Sequence, residues 1–185
     1  MAVWRLESDT NFTEFSFPLE EDQNFFRQLV KESFDEAKPL SSKWRPLHLL
    51  RGEPRKHPDF FEIDDTGVIA VSSKSLHFLR DFLNAKIETL PIETDAGRYY
   101  ALNVLNFVDC LNKRDSDCVA TKEGLIVNYS LLEFDPEKLG HHSIFKIPEL
   151  PYQTFVSDDI QEQCEEENLQ GLLFDAEVNL VWYPE

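Results

Sequence analysis

This chain contains three cysteines and five histidines. These side chains are often used as nucleophiles, metal ligands and general bases. Cys110, Cys118 and Cys164 form no Cys-x-x-Cys pair, so the spacing of a zinc or redox site is absent. Carboxylates surround Cys164 in the sequence and disfavour its thiolate. His141 and His142 are adjacent, so a helix or a strand would point them in different directions. We predict neither cysteine catalysis nor a metal site.

The common motifs of catalysis and cofactor binding are also absent. The six glycines form neither a GxGxxG nor a GxxxxGK[ST] loop, and no GxSxG or HExxH motif occurs. Asp115-Ser116-Asp117 resembles the start of a calcium loop, but Ala120 and Ile126 occupy the positions that require glycine and an acidic residue. We therefore predict no catalytic residue, no cofactor and no metal. A small enzyme that uses a pair of the 35 carboxylates stays open as an alternative.

The charge of the chain is strongly negative and unevenly distributed. Its 35 acidic and 18 basic residues give a net charge of −17, which disfavours binding to nucleic acid and to anionic membranes. Residues 1–100 have 13 basic and 18 acidic side chains, whereas residues 101–185 have 5 and 17. A basic protein partner is favoured, although acidity can also serve solubility alone.

The densest acidic segment is predicted to be a surface helix over residues 157–168. Ile160 and Cys164 give it only a narrow apolar seam, so that most of its circumference must face solvent. Its broad acidic face is either a solvated surface or an electrostatic docking site. We predict that the partner binds to six of its carboxylates, which are Asp158, Asp159, Glu162, Glu165, Glu166 and Glu167.

A basic segment over residues 38–56 complicates a purely acidic docking surface. Its basic residues are Lys38, Lys43, Arg45, Arg51, Arg55 and Lys56, and Glu53 is its only acidic residue. Two interpretations remain open. The segment pairs with the acidic C-terminal third inside the fold, or it contacts an acidic region of a partner.

Hydrophobic periodicity predicts a single α+β domain over residues 1–185, with a mixed, mainly antiparallel sheet and about three helices. The predicted helices are 19–37, 72–84 with Ser72 as its cap, and 157–168. A polar loop is predicted over 112–124. The pairs Val71-Ser72 and Val156-Ser157 each precede a helix, and this repeated pattern is either a duplication of an older unit or a common module that occurs twice. The predicted strands are 2–7, 12–17, 44–50, 86–93, 98–105, 125–134, 143–147, 153–156 and 172–174.

The location of the protein is expected to be cytoplasmic. Three cysteines are an odd number, which fits free thiols in a reducing compartment. The N-terminus shows no basic region followed by an apolar one, so we expect no signal peptide. No apolar run approaches the roughly 20 residues that a membrane-spanning helix needs.

Several sequence blocks resemble the immunity proteins of bacterial polymorphic-toxin systems that are numbered eleven, formerly a domain of unknown function. The resemblance extends over about residues 44–174, and residues 1–40 and those after Asp175 do not match. The similar blocks are Gly97–Leu105 with Val108-Asp109, Ile144–Pro148, Phe155–Asp158, Leu169–Phe174, and Val71-Ser72 with Leu90-Pro91-Ile92.

The resemblance implies a cytosolic, non-enzymatic protein that binds and neutralises a cognate toxin, and it implies no catalytic residue. Members of such a family face varied toxins, so the toxin is not named by the resemblance. A basic toxin is expected from the charge of the chain, and nucleases are often basic. The alternatives are an acidic regulator that mimics DNA and the small enzyme with a carboxylate site. The oligomeric state is not predicted.

Overall fold

The computed structural model describes residues 2–36, 38–53, 55–83 and 86–175, and it has the predicted α+β architecture. Within these residues the helices are α1 (Glu20–Glu36), α2 (Ser73–Phe78), α3 (Pro136–Leu139) and α4 (Asp158–Glu166), with a 3-10 turn at Leu79–Phe82. The strands are β1 (Val3–Ser8), β2 (Phe15–Ser16), β3 (Leu47–Arg51), β4 (Phe60–Glu62), β5 (Ile69–Ser72), β6 (Ile87–Thr94), β7 (Gly97–Val104), β8 (Asp117–Ala120), β9 (Ile126–Leu131), β10 (Ile144–Ile147), β11 (Leu150–Ser157) and β12 (Leu172–Asp175).

The strands form two main sheets and a separate hairpin. A six-stranded sheet has the order β2-β3-β6-β7-β5-β4, a four-stranded sheet has the order β10-β11-β1-β12, and β8 pairs with β9. Only the pairing of β3 with β6 is parallel among the strand pairs described. The predicted hairpin is confirmed as β6–β7, in register from Ile87↔Val104 to Thr94↔Gly97. The N-terminal β1 lies between β11 and β12, so it is built into the four-stranded sheet.

Helix α1 covers one face of the six-stranded sheet. Its apolar residues recur at intervals of three and four, which places Phe26, Leu29 and Val30 on one buried side. They pack in one core cluster with sheet residues such as Leu49 and Ile92. The predicted helix over 19–37 is therefore confirmed for Glu20–Glu36, and its last predicted residue, Ala37, lies outside the described residues.

The opposite face of the six-stranded sheet packs against the four-stranded sheet. Strand β7 alternates between the two faces, with Tyr99 and Ala101 toward α1 and Leu102 and Val104 toward the other sheet. The cluster between the sheets also contains residues of β1, β10 and β11 and the inner side of α4. This second core fixes α4 on the four-stranded sheet.

Several local elements differ from the prediction. The helix predicted over 72–84 is α2 followed by the 3-10 turn, with residue 84 outside the described residues, and of the strand predicted over 12–17 only β2 forms. The polar loop predicted over 112–124 contains strand β8, which pairs with β9 through two register shifts. A four-residue segment is too short to form a strand alone, so β8 depends on its pairing with β9. A further helix, α3, begins at Pro136, because the Asp135 side chain accepts hydrogen bonds from the Glu137 and Lys138 backbones. Of the helices in the described part of the chain, none combines the length and apolar character needed to cross a bilayer.

Candidate partner-binding site

Helix α4 presents its carboxylates outward because its inner side is held by two buried residues. Ile160 and Cys164 are 3% and 2% exposed, and both belong to the core cluster between the sheets. The helix follows β11 directly, and Ser157 occupies the N-cap position with extended backbone. The predicted narrow apolar seam is thus present, and four of the six predicted carboxylates are exposed, with Glu167 and Asp158 partly buried.

Asp158 differs from the other five predicted carboxylates because it is engaged within the fold. Its Oδ2 accepts a hydrogen bond from the Ala2 backbone nitrogen at 2.6 Å, and its Oδ1 accepts one from the Trp4 indole at 3.0 Å. These hydrogen bonds hold the pKa of Asp158 below its ordinary value. Asp158 therefore ties the N-terminal strand to α4.

The remaining five carboxylates form what we call the acidic face of α4: Asp159, Glu162, Glu165, Glu166 and Glu167. No ion pair within the described ranges of the chain reaches any of them, and the sequence contains no lysine or arginine after Lys146. Gln161 donates a hydrogen bond to Glu165 along the helix. The acidic face is therefore a local concentration of negative charge that forms no ion pair with the basic side chains the structure describes.

The basic segment 38–56 does not neutralise this face. Lys43 pairs with Glu32 of α1 at 2.5 Å, Arg45 pairs with Asp22 of α1 at 2.6 Å, and Arg51 pairs with Asp95 at 2.8 Å. For these residues, the interpretation that the segment pairs with the acidic C-terminal third is wrong. Their partners lie on α1 and in the β6–β7 turn, because β3 lies beside β6 and under α1.

The three cysteines are free, and Cys110 and Cys164 are poorly placed for nucleophilic chemistry because they are buried. Burial, helped by the carboxylates of Asp59 and Glu165, raises the pKa of the Cys164 thiol to about 12. Burial likewise raises the pKa of Cys110 to about 11. The sequence had indicated carboxylates as the reason for an unreactive Cys164, whereas burial is the larger cause. Within the described ranges, no three His, Cys, Asp or Glu side chains are grouped to hold a metal ion.

A second feature, an open cavity of about 230 Å³ beside the turn that follows β4, was not predicted. Its wall combines Phe60 and Phe61 with carboxylates such as Glu62 and Asp65, and it also includes Gly171, beyond the end of α4. The residues come from three distant parts of the chain, so no local pattern could have indicated it.

Comparison with known families gives one match. A family model described as "Immunity protein family (Imm11)" matches residues 53–179. This range largely overlaps the 44–174 core inferred from the resemblance and includes α4. No curated protein matches the chain.

Proposed function

We propose that this chain, which belongs to the Imm11 immunity protein family, binds a cognate toxin of a polymorphic toxin system and neutralises it by occlusion. The family match carries the general immunity role. The finer proposal is supported by the acidic face of α4, whose charge is not compensated by ion pairs within the described part of the fold. The partner is a basic protein domain, and the site of action is the cytoplasm.

The proposed mechanism needs no catalytic group in this chain. Opposite charges across an interface accelerate encounter and select the partner, while a few buried anchor residues supply most of the affinity. The acidic face of α4 would attract a basic surface of the toxin, and the bound domain would then block access to the toxin's own active site. Inhibition by occlusion is stoichiometric, because each toxin molecule must stay covered.

We also propose that residues 1–185 form one immunity domain, although the family match begins at residue 53. Support comes from β1, which pairs with β11 and β12 inside the matched region. Helix α1 also contributes to the same core cluster as β6 and β7. Removal of the first 40 residues would expose the edges of β11 and β12 that pair with β1, and the core residues of β6 and β7 that pack with α1.

Association kinetics test the role of α4. The triple variant Glu162→Lys, Glu165→Lys, Glu166→Lys reverses three exposed charges, and Glu123→Lys, Glu133→Lys, Glu137→Lys is a control with the same net charge. We expect the α4 variant to bind the toxin domain encoded by the adjacent reading frame roughly tenfold more slowly at low salt, with a weaker salt dependence. Equal on-rates and salt slopes for both variants would show that α4 is not the docking face.

Titration of toxin activity separates occlusion from enzymatic inactivation. A non-enzymatic inhibitor abolishes toxin activity only near an equimolar ratio, whereas an enzyme that modifies the toxin acts at a small fraction of that ratio. We expect an equimolar end point. Complete inactivation at one-twentieth of the toxin concentration would overturn the non-enzymatic proposal.

A further inference from the structure

The cavity beside β4 has the size of an amino-acid side chain rather than of a cofactor. Its volume of about 230 Å³ is below the roughly 300–1,000 Å³ of typical small-molecule pockets, and it opens to solvent. It lies between the connection of β1 to β2, strand β4 with its following turn, and the segment after α4. It is lined by Ser8, Asp9, Thr10, Phe12, Thr13, Glu14, Phe15, Pro58, Phe60, Phe61, Glu62, Asp64, Asp65 and Gly171.

The inner wall of this cavity is aromatic and firmly held. The rings of Phe15 and Phe61 are stacked with their centroids 4.6 Å apart. The Tyr99 hydroxyl donates a hydrogen bond to the Pro58 carbonyl at 2.8 Å, which fixes the neighbouring part of the wall. Gly171 has a φ of +105°, and a Cβ there would lie 2.2 Å from the Phe60 carbonyl oxygen. The cavity is therefore a preformed feature of the packing.

The charge of the wall selects the kind of occupant. Five of the lining residues are acidic and none is lysine, arginine or histidine. Asp64 is already paired, since Arg27 donates to it at 2.5 Å and Gln23 at 2.6 Å. The carboxylates of Asp65 and Glu14 are exposed, and neither has a hydrogen bond or ion pair to another described residue. A cation that entered would meet these two carboxylates at the rim, where Arg27 already bonds to Asp64 and Arg55 to the Thr10 carbonyl.

Glu62 lies deeper in the wall, and its negative charge is disfavoured there. Burial raises the pKa of Glu62 and the nearby Asp65 raises it further, while a hydrogen bond from the Gly67 backbone and the positive charges of Lys146 and Arg5 oppose this. A cationic group in the cavity would reverse that balance, because an opposite charge favours the ionised carboxylate. The binding of such a group would thus be coupled to ionisation of Glu62.

We propose that this cavity receives an arginine side chain of the cognate partner. A guanidinium stacks on aromatic rings and bonds to carboxylates with its planar fork of donors, so it matches both kinds of wall better than an ammonium does. An arginine seated in a preformed pocket is also a frequent energetic centre of protein interfaces. The inference rests on the proposed function, because the arginine belongs to the toxin.

The wall is also linked to the segment that follows α4. The Asp9 backbone nitrogen donates to the Gly171 carbonyl at 3.0 Å, and Asp59 donates to the Gln170 carbonyl at 2.7 Å. The segment that follows α4 therefore forms part of the cavity wall. The two features would have different roles, with α4 accelerating encounter and the cavity slowing dissociation.

A small-molecule probe tests the cavity without the toxin. Nα-acetyl-arginine amide is titrated into the isotope-labelled full chain, and backbone amide chemical shifts are followed by NMR. Nα-acetyl-citrulline amide, which has a similar shape without the charge, is the matched probe. We expect saturable shifts at residues 8–15, 62–67 and 171 with the arginine compound only. Equal shifts with both compounds, or shifts spread evenly over every acidic surface, would overturn the proposal.

Two double variants, each of which removes two negative charges, locate the binding of the arginine compound. Glu14→Gln, Asp65→Asn removes the unpaired rim carboxylates, and asparagine tolerates the left-handed backbone of Asp65 at a φ of +50°. We expect it to bind the arginine compound about fivefold more weakly. The control Glu123→Gln, Glu133→Gln removes the same charge from exposed positions outside both proposed surfaces and should bind it as the native chain does. Equal weakening in both variants would show a general charge effect and contradict the proposal.

The same variants distinguish the two proposals when the toxin is used. If the toxin binds and its dissociation rate is unchanged by Glu14→Gln, Asp65→Asn, the proposed function stands and the arginine pocket is wrong. If the arginine compound binds the cavity but no toxin does, the pocket is real, its assignment to a toxin arginine is wrong, and the proposed function fails.

Discussion

Lys146 makes the stability of this fold depend on pH in a way that can be calculated. It lies on β10 and is 1% exposed. Its Nζ donates to the Pro151 carbonyl at 2.8 Å and sits 3.7 Å from the centre of the Phe34 ring. Burial lowers the pKa of Lys146 from 10.5 to about 7, with only Glu62 acting in the opposite direction. The folded chain therefore releases this proton far more readily than the unfolded chain does.

The sign and the size of the effect follow from this difference in pKa. Between pH 7 and 10.5 the unfolded chain binds more protons at this lysine, so its contribution to the free energy of unfolding rises with pH. Integrated from pH 7 to pH 9, the rise is about 2 kcal/mol. Methionine has a similar length and no charge, so the variant Lys146→Met should lose this contribution.

Urea unfolding at pH 7 and pH 9, under reducing conditions, measures the effect. The stability of the native chain relative to Lys146→Met should increase by about 2 kcal/mol between the two pH values, or about 1 M in the urea midpoint. Ionisation of unfolded cysteines opposes this rise in both proteins and cancels in the difference. Lys122→Met, at an exposed loop position, should keep the native pH dependence. If the difference in urea midpoint between the native chain and Lys146→Met changes by less than about 0.5 M between the two pH values, the reasoning is wrong.

Two further predictions concern the packing. Gly171→Ala should lower the free energy of unfolding by about 2–4 kcal/mol, because its Cβ would collide with Phe60 and Pro58. The control is Gly124→Ala, because Gly124 also has a positive φ but has open space around it. It should lower the free energy of unfolding by less in the same denaturation experiment. Equal losses of stability would show that backbone strain alone acts. Reaction with a thiol reagent at pH 8 should show one fast cysteine, which Cys118→Ser removes, because Cys110 and Cys164 are buried. Three equally fast thiols would contradict the described packing.

Helices α1, α2 and α4 and the central hairpin were accessible from the sequence because their signals are local. In α4, Ile160 and Cys164 are four residues apart and define the buried side, so the outward direction of the carboxylates follows. Ser72 was correctly predicted as a cap, and its hydroxyl accepts a hydrogen bond from the Ser75 backbone at 3.1 Å. The structural use of Asp158 was not predictable, because its partners are at the other end of the chain.

Features made by distant segments were missed for the same reason. Strand β8 is short and lies in a polar run, and only its pairing with β9 defines it. The acidic cavity joins residues 8–15, 58–65 and Gly171, which no periodic pattern connects. The pairing of the basic segment with α1 likewise depends on the placement of β3 beside β6. Periodicity therefore predicted the elements, whereas the site required the tertiary arrangement.

Co-expression with the adjacent toxin domain tests the central claim most directly. The C-terminal domain encoded by the neighbouring reading frame is expressed in cells with and without this chain, and the two proteins are then purified through a tag on one of them. We predict that the domain kills when expressed alone, and that with this chain the cells survive and the pair co-purifies as a stable complex. A domain that neither kills nor binds this chain would contradict the account.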